Sequence, residues 1–124
     1  MIFSESLKKN KDFQIVYRNG RSCANRLLVM YVHPNGREKN RIGISVSKKV
    51  GNSVVRHRLT RLIRESYRIS EEKFRCGFDI IIIARTSARG SDYRSIERAL
   101  IHLGKLHKIV SAEPKKSADA DTAI

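Results

Sequence analysis

Acidic residues are scarce in this chain of 124 residues. Asp plus Glu number 12 against 26 Lys plus Arg, a formal net charge of +14. So large an imbalance opposes compaction by self-repulsion and favours a polyanionic partner, nucleic acid first and an anionic membrane second. Tryptophan is missing and the aromatics are four Phe and four Tyr, so the core must be mostly aliphatic. Cys23 and Cys76 lie far apart and form no CxxC pair. With no other sign of secretion they read as reduced, half-buried thiols. No stretch approaches a membrane span; the run Ile80 to Ala84 is closed off by Asp79 and Arg85. The first 13 residues carry Ser4, Glu5, Lys8, Lys9, Lys11 and Asp12, with no apolar stretch long enough for a secretory signal. A cytoplasmic protein without a membrane partner is expected. His33, His57, His102 and His107 lack metal spacing, and the last two, five apart, fall on different helix faces. Glu38, Glu65, Glu71, Glu72, Asp79, Asp92 and Glu97 are scattered, whereas a Mg²⁺-dependent hydrolase acting alone normally needs clustered carboxylates.

What is present fits one domain. Residues 111–124 read SAEPKKSADADTAI, small and polar, and are expected to be a disordered tail. Residues 1–110 are then expected to form a single domain, the part of the chain that would carry RNA binding. Residues 8–17 predict a short helix, with Asn10 or Asp12 as its cap and Phe13, Val16 and Tyr17 at helical spacing. Residues 27–33 and 41–47 read as strands around a turn at Pro34-Asn35-Gly36, and a short strand at 22–25 is possible. In the second of these, Ile42, Ile44 and Val46 alternate with Gly43, Ser45 and Ser47. A long helix is expected to follow Gly51-Asn52-Ser53 and run to about residue 69. Residues 78–84 read as a central buried strand. Residues 92–108 predict a last amphipathic helix with Ile96, Leu100, Leu103 and Leu106 inward. The order α-β-β-(β)-α-β-α implies an α/β fold (an α+β sandwich), with helices packed on one small mixed sheet.

The segment 41–68, RIGISVSKKVGNSVVRHRLTRLIRESYR, concentrates the charge. At about 100° per residue, Val55, Leu59, Leu62 and Ile63 gather on one helix face. His57, Arg61, Arg64 and Arg68 fall within roughly 60° on the opposite face, flanked by Arg56 and Arg58. A solvated face usually mixes both signs in i,i+4 pairs. Here Glu65 is the only acid and the cations are arginines, which donate bidentately to phosphate and stack on bases. Nucleic-acid contact is therefore the better reading. Gly51 would permit a tight turn and Asn52 or Ser53 would cap the helix. With Lys48 and Lys49 beside it, that helix start is a plausible phosphate seat.

This segment resembles the signature of the bacterial ribonuclease P protein component, roughly Arg-x-Gly-x-x-Val-Ser-Lys-Lys-x-Gly-Asn-Ala-Val-x-Arg-Asn-Arg-x-x-Arg-x-x-Arg-Glu. The chain matches at Arg41, Gly43, Val46, Ser47, Lys48, Lys49, Gly51, Asn52, Val54, Arg56, Arg58, Arg61, Arg64 and Glu65. It departs at Ser53 for Ala and at His57 for Asn. The resemblance extends to Asp12-Phe13, to the strand around Leu28 to Tyr31 and to the run from Asp79 to Arg85. It implies a ribosomal-protein-like fold with a left-handed βαβ crossover. It implies partnership with a catalytic RNA that holds the Mg²⁺, none being bound by the protein alone, and assistance in removing the 5′ leader of precursor tRNA. No further protein partner is required. Lys48, Lys49, Asn52, Arg56, His57, Arg58, Arg61, Arg64 and Arg68 would face the catalytic RNA. Phe13, Tyr17 and Tyr31 would line a cleft for the single-stranded leader. Independently, Tyr31 beside small residues of the next strand, Gly43 and Ser45, could form a stacking floor for unpaired bases. For Phe13 the competing reading is a core aromatic.

Two binding modules compete. A ribosomal or other structured-RNA-binding protein shares the composition but not the signature. A helix-turn-helix DNA binder would need a second helix just before Asn52, where the sequence reads as strand.

Overall fold

The computed structural model describes residues 4–110; the tail expected at 111–124 lies outside them. The elements are β1 (Ser4–Ser6), α1 (Asn10–Asn19), β2 (Arg21–Ala24), β3 (Leu28–Pro34), β4 (Asn40–Ser45), α2 (Ser53–Ser70), β5 (Phe78–Ala84) and α3 (Tyr93–Leu106). The five strands form one sheet in the order β1-β4-β5-β3-β2. β1 and β5 run parallel to β4, while β3 is antiparallel to both β5 and β2.

The apolar run of β5 makes it the central strand. Ile80, Ile81 and Ile82 are all fully buried because both faces of the sheet are covered. On one face α2 and α3 pack Leu59, Ile63, Tyr67, Ile96, Leu100 and Leu103 against Leu28, Met30, Val32, Ile42, Ile80 and Ile82. On the other, α1 sets Val16 against Ile81 and Leu7. The alternation expected in β4 is therefore apolar on one side and small on the other, with Gly43 as buried as Ile42.

The handedness of the β4-α2-β5 crossover follows from one residue. Ile42 turns its side chain to the α2–α3 face, and its carbonyl accepts from Leu7 N just after β1. An L-residue viewed with its side chain forward and its strand running upward points its carbonyl to the right. β1 thus lies to the right of β4 and β5 to the left. The crossover is left-handed, against the common preference.

Several sequence expectations need correction. β1 was not foreseen, and the order begins with it. α1 begins at Asn10, and its N-cap position is Lys9 with no side-chain cap bond. Asp12, expected as a possible cap, is instead held by Arg41. Gly51 has no positive φ. Its requirement is space, since a Cβ there would come within 2.8 Å of the Val55 side chain. Leu106 is 49% exposed, because the inner face of α3 ends at Leu103 and the chain turns away at His107.

Candidate nucleic-acid interface

The start of α2 is fixed by Asn52, whose Oδ1 accepts from Val55 N at 3.0 Å. Lys48 and Lys49 stand exposed in the preceding turn, anchored by the buried Val50. Leu59, Ile63, Ser66, Tyr67 and Ser70 are buried, and Val55 and Leu62 half-buried. His57, Arg61, Arg64 and Arg68 are all exposed on the far side, as the helical period requires.

The arginines divide into three kinds. Arg56 Nε donates to Gly51 O at 3.2 Å, and Arg58 Nη2 donates to Ser91 O at 2.9 Å. Each is braced against the protein by part of its guanidinium and retains other donors. Arg61 and Arg64, with His57, have no side-chain bond or ion pair among the described residues, so their donors face outward. Arg68 differs. It grips Glu65 bidentately at 3.0 and 2.5 Å. That contact holds the Glu65 carboxyl below its ordinary pKa, and the Arg68 guanidinium above its own. Glu65, the only acid of the segment, is spaced i,i+3 from Arg68, and that spacing is the sequence signal for the pair. Arg68 is brought to the row but is not an unpaired cation. An open groove of about 700 Å³ follows this side of α2, lined by His57, Arg58, Arg61, Leu62 and Glu65 among others.

The aromatic trio lies on the opposite face of the sheet. Tyr17 and Tyr31 meet edge-on with ring centroids 5.0 Å apart, and Phe13 lies 6.3 Å from Tyr17. All three are half-buried around Ile81 and Ile83. Phe13 lies so close over Gly43 that a Cβ there would be 2.5 Å from its Cζ. Burial, the neighbouring Tyr31 and a hydrogen bond to Ser45 act on the Tyr17 hydroxyl; the first two prevail and raise its pKa. The small residues are not beside Tyr31, as strand succession suggested. β5 intervenes, and Ile81 is the Cα partner of both Tyr31 and Gly43. Gly43 and Ser45 serve Phe13 and Tyr17 instead.

A clamp at the start of α1 had no sequence signal. Arg41 donates to Asp79 through Nε at 2.8 Å and Nη2 at 2.6 Å, and to Asp12 through Nη1 at 3.4 Å. Asn35 Nδ2 adds a bond to Asp79 at 3.0 Å. Arg41, the first basic residue of the segment 41–68, spends its charge inside the protein. The Arg41 guanidinium thus links the two carboxylates, Asp79 through both oxygens and Asp12 through Oδ2. Among the described residues no cluster of three or more His, Cys, Asp or Glu could hold a metal ion, and no helix is long and apolar enough to cross a membrane.

Comparison with known proteins gives a single picture. The family model described as Ribonuclease P matches residues 2–108. A ribonuclease P protein component of Lachnoclostridium phytofermentans is 57% identical over 115 residues, covering 92% of this chain and 99% of the relative. One from Alkaliphilus metalliredigens is 53% identical, covering 87% and 97%. Among solved structures, the Staphylococcus aureus RNase P protein superposes with a TM-score of 0.79 at 39% identity, over 88% of this chain and 98% of that one. The Thermotoga maritima RNase P protein gives 0.77 at 30% identity, over 82% and 96%.

Proposed function

The chain belongs to the ribonuclease P protein family, and on that premise we propose how its two faces divide the work of the ribonucleoprotein. The protein is the subunit of an endoribonuclease that matures tRNA 5′ ends. The outer face of α2 binds the catalytic RNA through Arg61, Arg64 and His57. Arg56 and Arg58 are braced in place beside them, and Lys48 and Lys49 stand at the helix start. The trio Phe13, Tyr17 and Tyr31 receives unpaired leader bases of precursor tRNA. Mg²⁺ is held by the RNA, and bond cleavage belongs to the RNA partner in the cytoplasm. The observation that carries this reading is the separation of unpaired cations and half-buried aromatics onto opposite faces of one sheet. A protein so built can hold two RNA segments at once. Its cations neutralise phosphates that would otherwise need Mg²⁺ screening.

The test is cleavage of precursor tRNA by in-vitro-transcribed ribonuclease P RNA, with and without the protein, across Mg²⁺ concentrations. Stimulation should be largest at the lowest Mg²⁺, and RNA-free protein should cleave nothing. Metal-dependent cleavage by the pure protein would overturn the assignment of chemistry to the RNA.

A further inference from the structure

α2 and α3 lie side by side on the same face of the sheet, so their outer surfaces form one layer. Helices packed in this way have axes about 8–10 Å apart. α3 has an outer row of its own. Arg94, Arg98 and Lys105 are all exposed and fall within about 40° of one another at 100° per residue. From Arg94 to Lys105 the row runs about 16 Å along the axis, room for several phosphates. None of the three has an ion pair or side-chain hydrogen bond among the described residues.

The acids of this layer are outnumbered: Glu65, Asp92 and Glu97 stand against eight Arg and Lys on α2 and α3. Glu65, the only acid of α2, holds Arg68. Glu97, the only acid of α3, accepts from Tyr93 Oη at 3.5 Å. Asp92 caps α3 by accepting from Ser95 N at 2.9 Å. The layer therefore presents two cationic rows with little opposing charge. Between them, Arg58 lines the open groove and reaches Ser91 just before α3.

A single row can follow one phosphate strand. Two rows a helix diameter apart suit a double strand, because proteins engage A-form RNA mostly through phosphates and 2′-hydroxyls across its wide, shallow minor groove. We propose that the α2–α3 layer is a platform for a duplex segment of the ribonuclease P RNA. Arg94, Arg98 and Lys105 take phosphates of one strand, while Arg61 and Arg64 take those of the other. This rests on the ribonuclease P reading and adds α3 to the interface.

The experiment measures binding of the full chain to in-vitro-transcribed ribonuclease P RNA over a series of salt concentrations. The variants are Arg94→Gln/Arg98→Gln/Lys105→Gln and, separately, Arg61→Ala/Arg64→Ala, each checked for an unchanged melting temperature. Each lost duplex phosphate contact should flatten the slope of log K against log salt by about 0.9. The α3 variant should thus flatten it by about 2.7. Flattening only in the α2 variant would overturn the platform and leave the ribonuclease P reading standing. So would an α3 variant that weakens precursor tRNA binding while its slope on the RNA subunit is unchanged. No salt-dependent binding by the unmodified protein would instead overturn the ribonuclease P reading itself.

Discussion

Arg61 and Arg68 lie on the same arc of α2, yet only one of them has an unoccupied guanidinium. Arg61→Ala should flatten the salt dependence of RNA binding by about one unit. Arg68→Ala should change it far less, because Glu65 already neutralises that side chain. Glu65→Gln should release Arg68 and tighten RNA binding, read as a lower Kd and a steeper salt slope. Equal slopes for Arg61→Ala and Arg68→Ala would mean that the ion pair opens in the complex. His107 offers a separate residue-level test, of stability. It is buried at the C-terminus of α3, with Nε2 against Met30 O at 2.9 Å. Burial lowers its pKa, the Met30 bond raises it and nearby Arg21 lowers it, for a net decrease. The unfolded chain therefore takes up the proton first. The stability that His107 contributes is fully present above about pH 6.5 and is lost as pH falls below it through the lowered folded value. Urea midpoints at pH 7.5 and 5.5 should differ, and less so in His107→Gln; an identical difference in both would exclude His107 as its source.

At the scale of elements, α1 has only a slight hold on the sheet. It buries one residue fully, Val16, and has no side-chain N-cap. Arg41, bridging Asp79 and Asp12, ties its first turn to the sheet and so sets where Phe13 and Tyr17 lie. Removing one partner of a buried pair costs about 3–5 kcal/mol. Arg41 and Asp12 keep some exposure (17% each), so Arg41→Met should cost less, about 2–3 kcal/mol. It should also lower affinity for leader-bearing tRNA more than for leaderless tRNA. An equal loss on both substrates would show that the clamp supports the fold without shaping the cleft. The sequence could announce the aromatics of α1 but not the clamp, because Asp12, Arg41 and Asp79 meet only once strand order is known. The same holds for Tyr31, whose neighbour across the sheet is Ile81 from a strand 50 residues later. α2 was readable because its inner and outer residues repeat with the helical period. β5 was readable because its continuous apolar run can only be buried on both faces. β1, three residues reading Ser-Glu-Ser, has no apolar pattern. It is ordered by its parallel register with β4 and by Ser4 Oγ, 2.7 Å from the buried Tyr67 hydroxyl.

At the scale of the whole molecule, the sheet separates the exposed cations of α2 from the half-buried trio Phe13, Tyr17 and Tyr31. On the proposed function, the cations of α2 should govern affinity for the RNA subunit, and the aromatic trio should govern discrimination for the leader. The most direct measurement is a crossed comparison. Arg61→Ala/Arg64→Ala and Phe13→Ala/Tyr31→Ala proteins are each assayed for binding to ribonuclease P RNA. In the assembled complex, each is also assayed for binding to precursor tRNA with and without its leader. Circular dichroism first establishes that Phe13→Ala/Tyr31→Ala is folded. The arginine variant should bind the RNA subunit more weakly and keep its preference for the leader. The aromatic variant should bind the RNA subunit normally and lose about 1–3 kcal/mol of leader preference for each base unstacked. If both variants instead weaken both kinds of binding in proportion, the two faces do not act separately and the account is wrong.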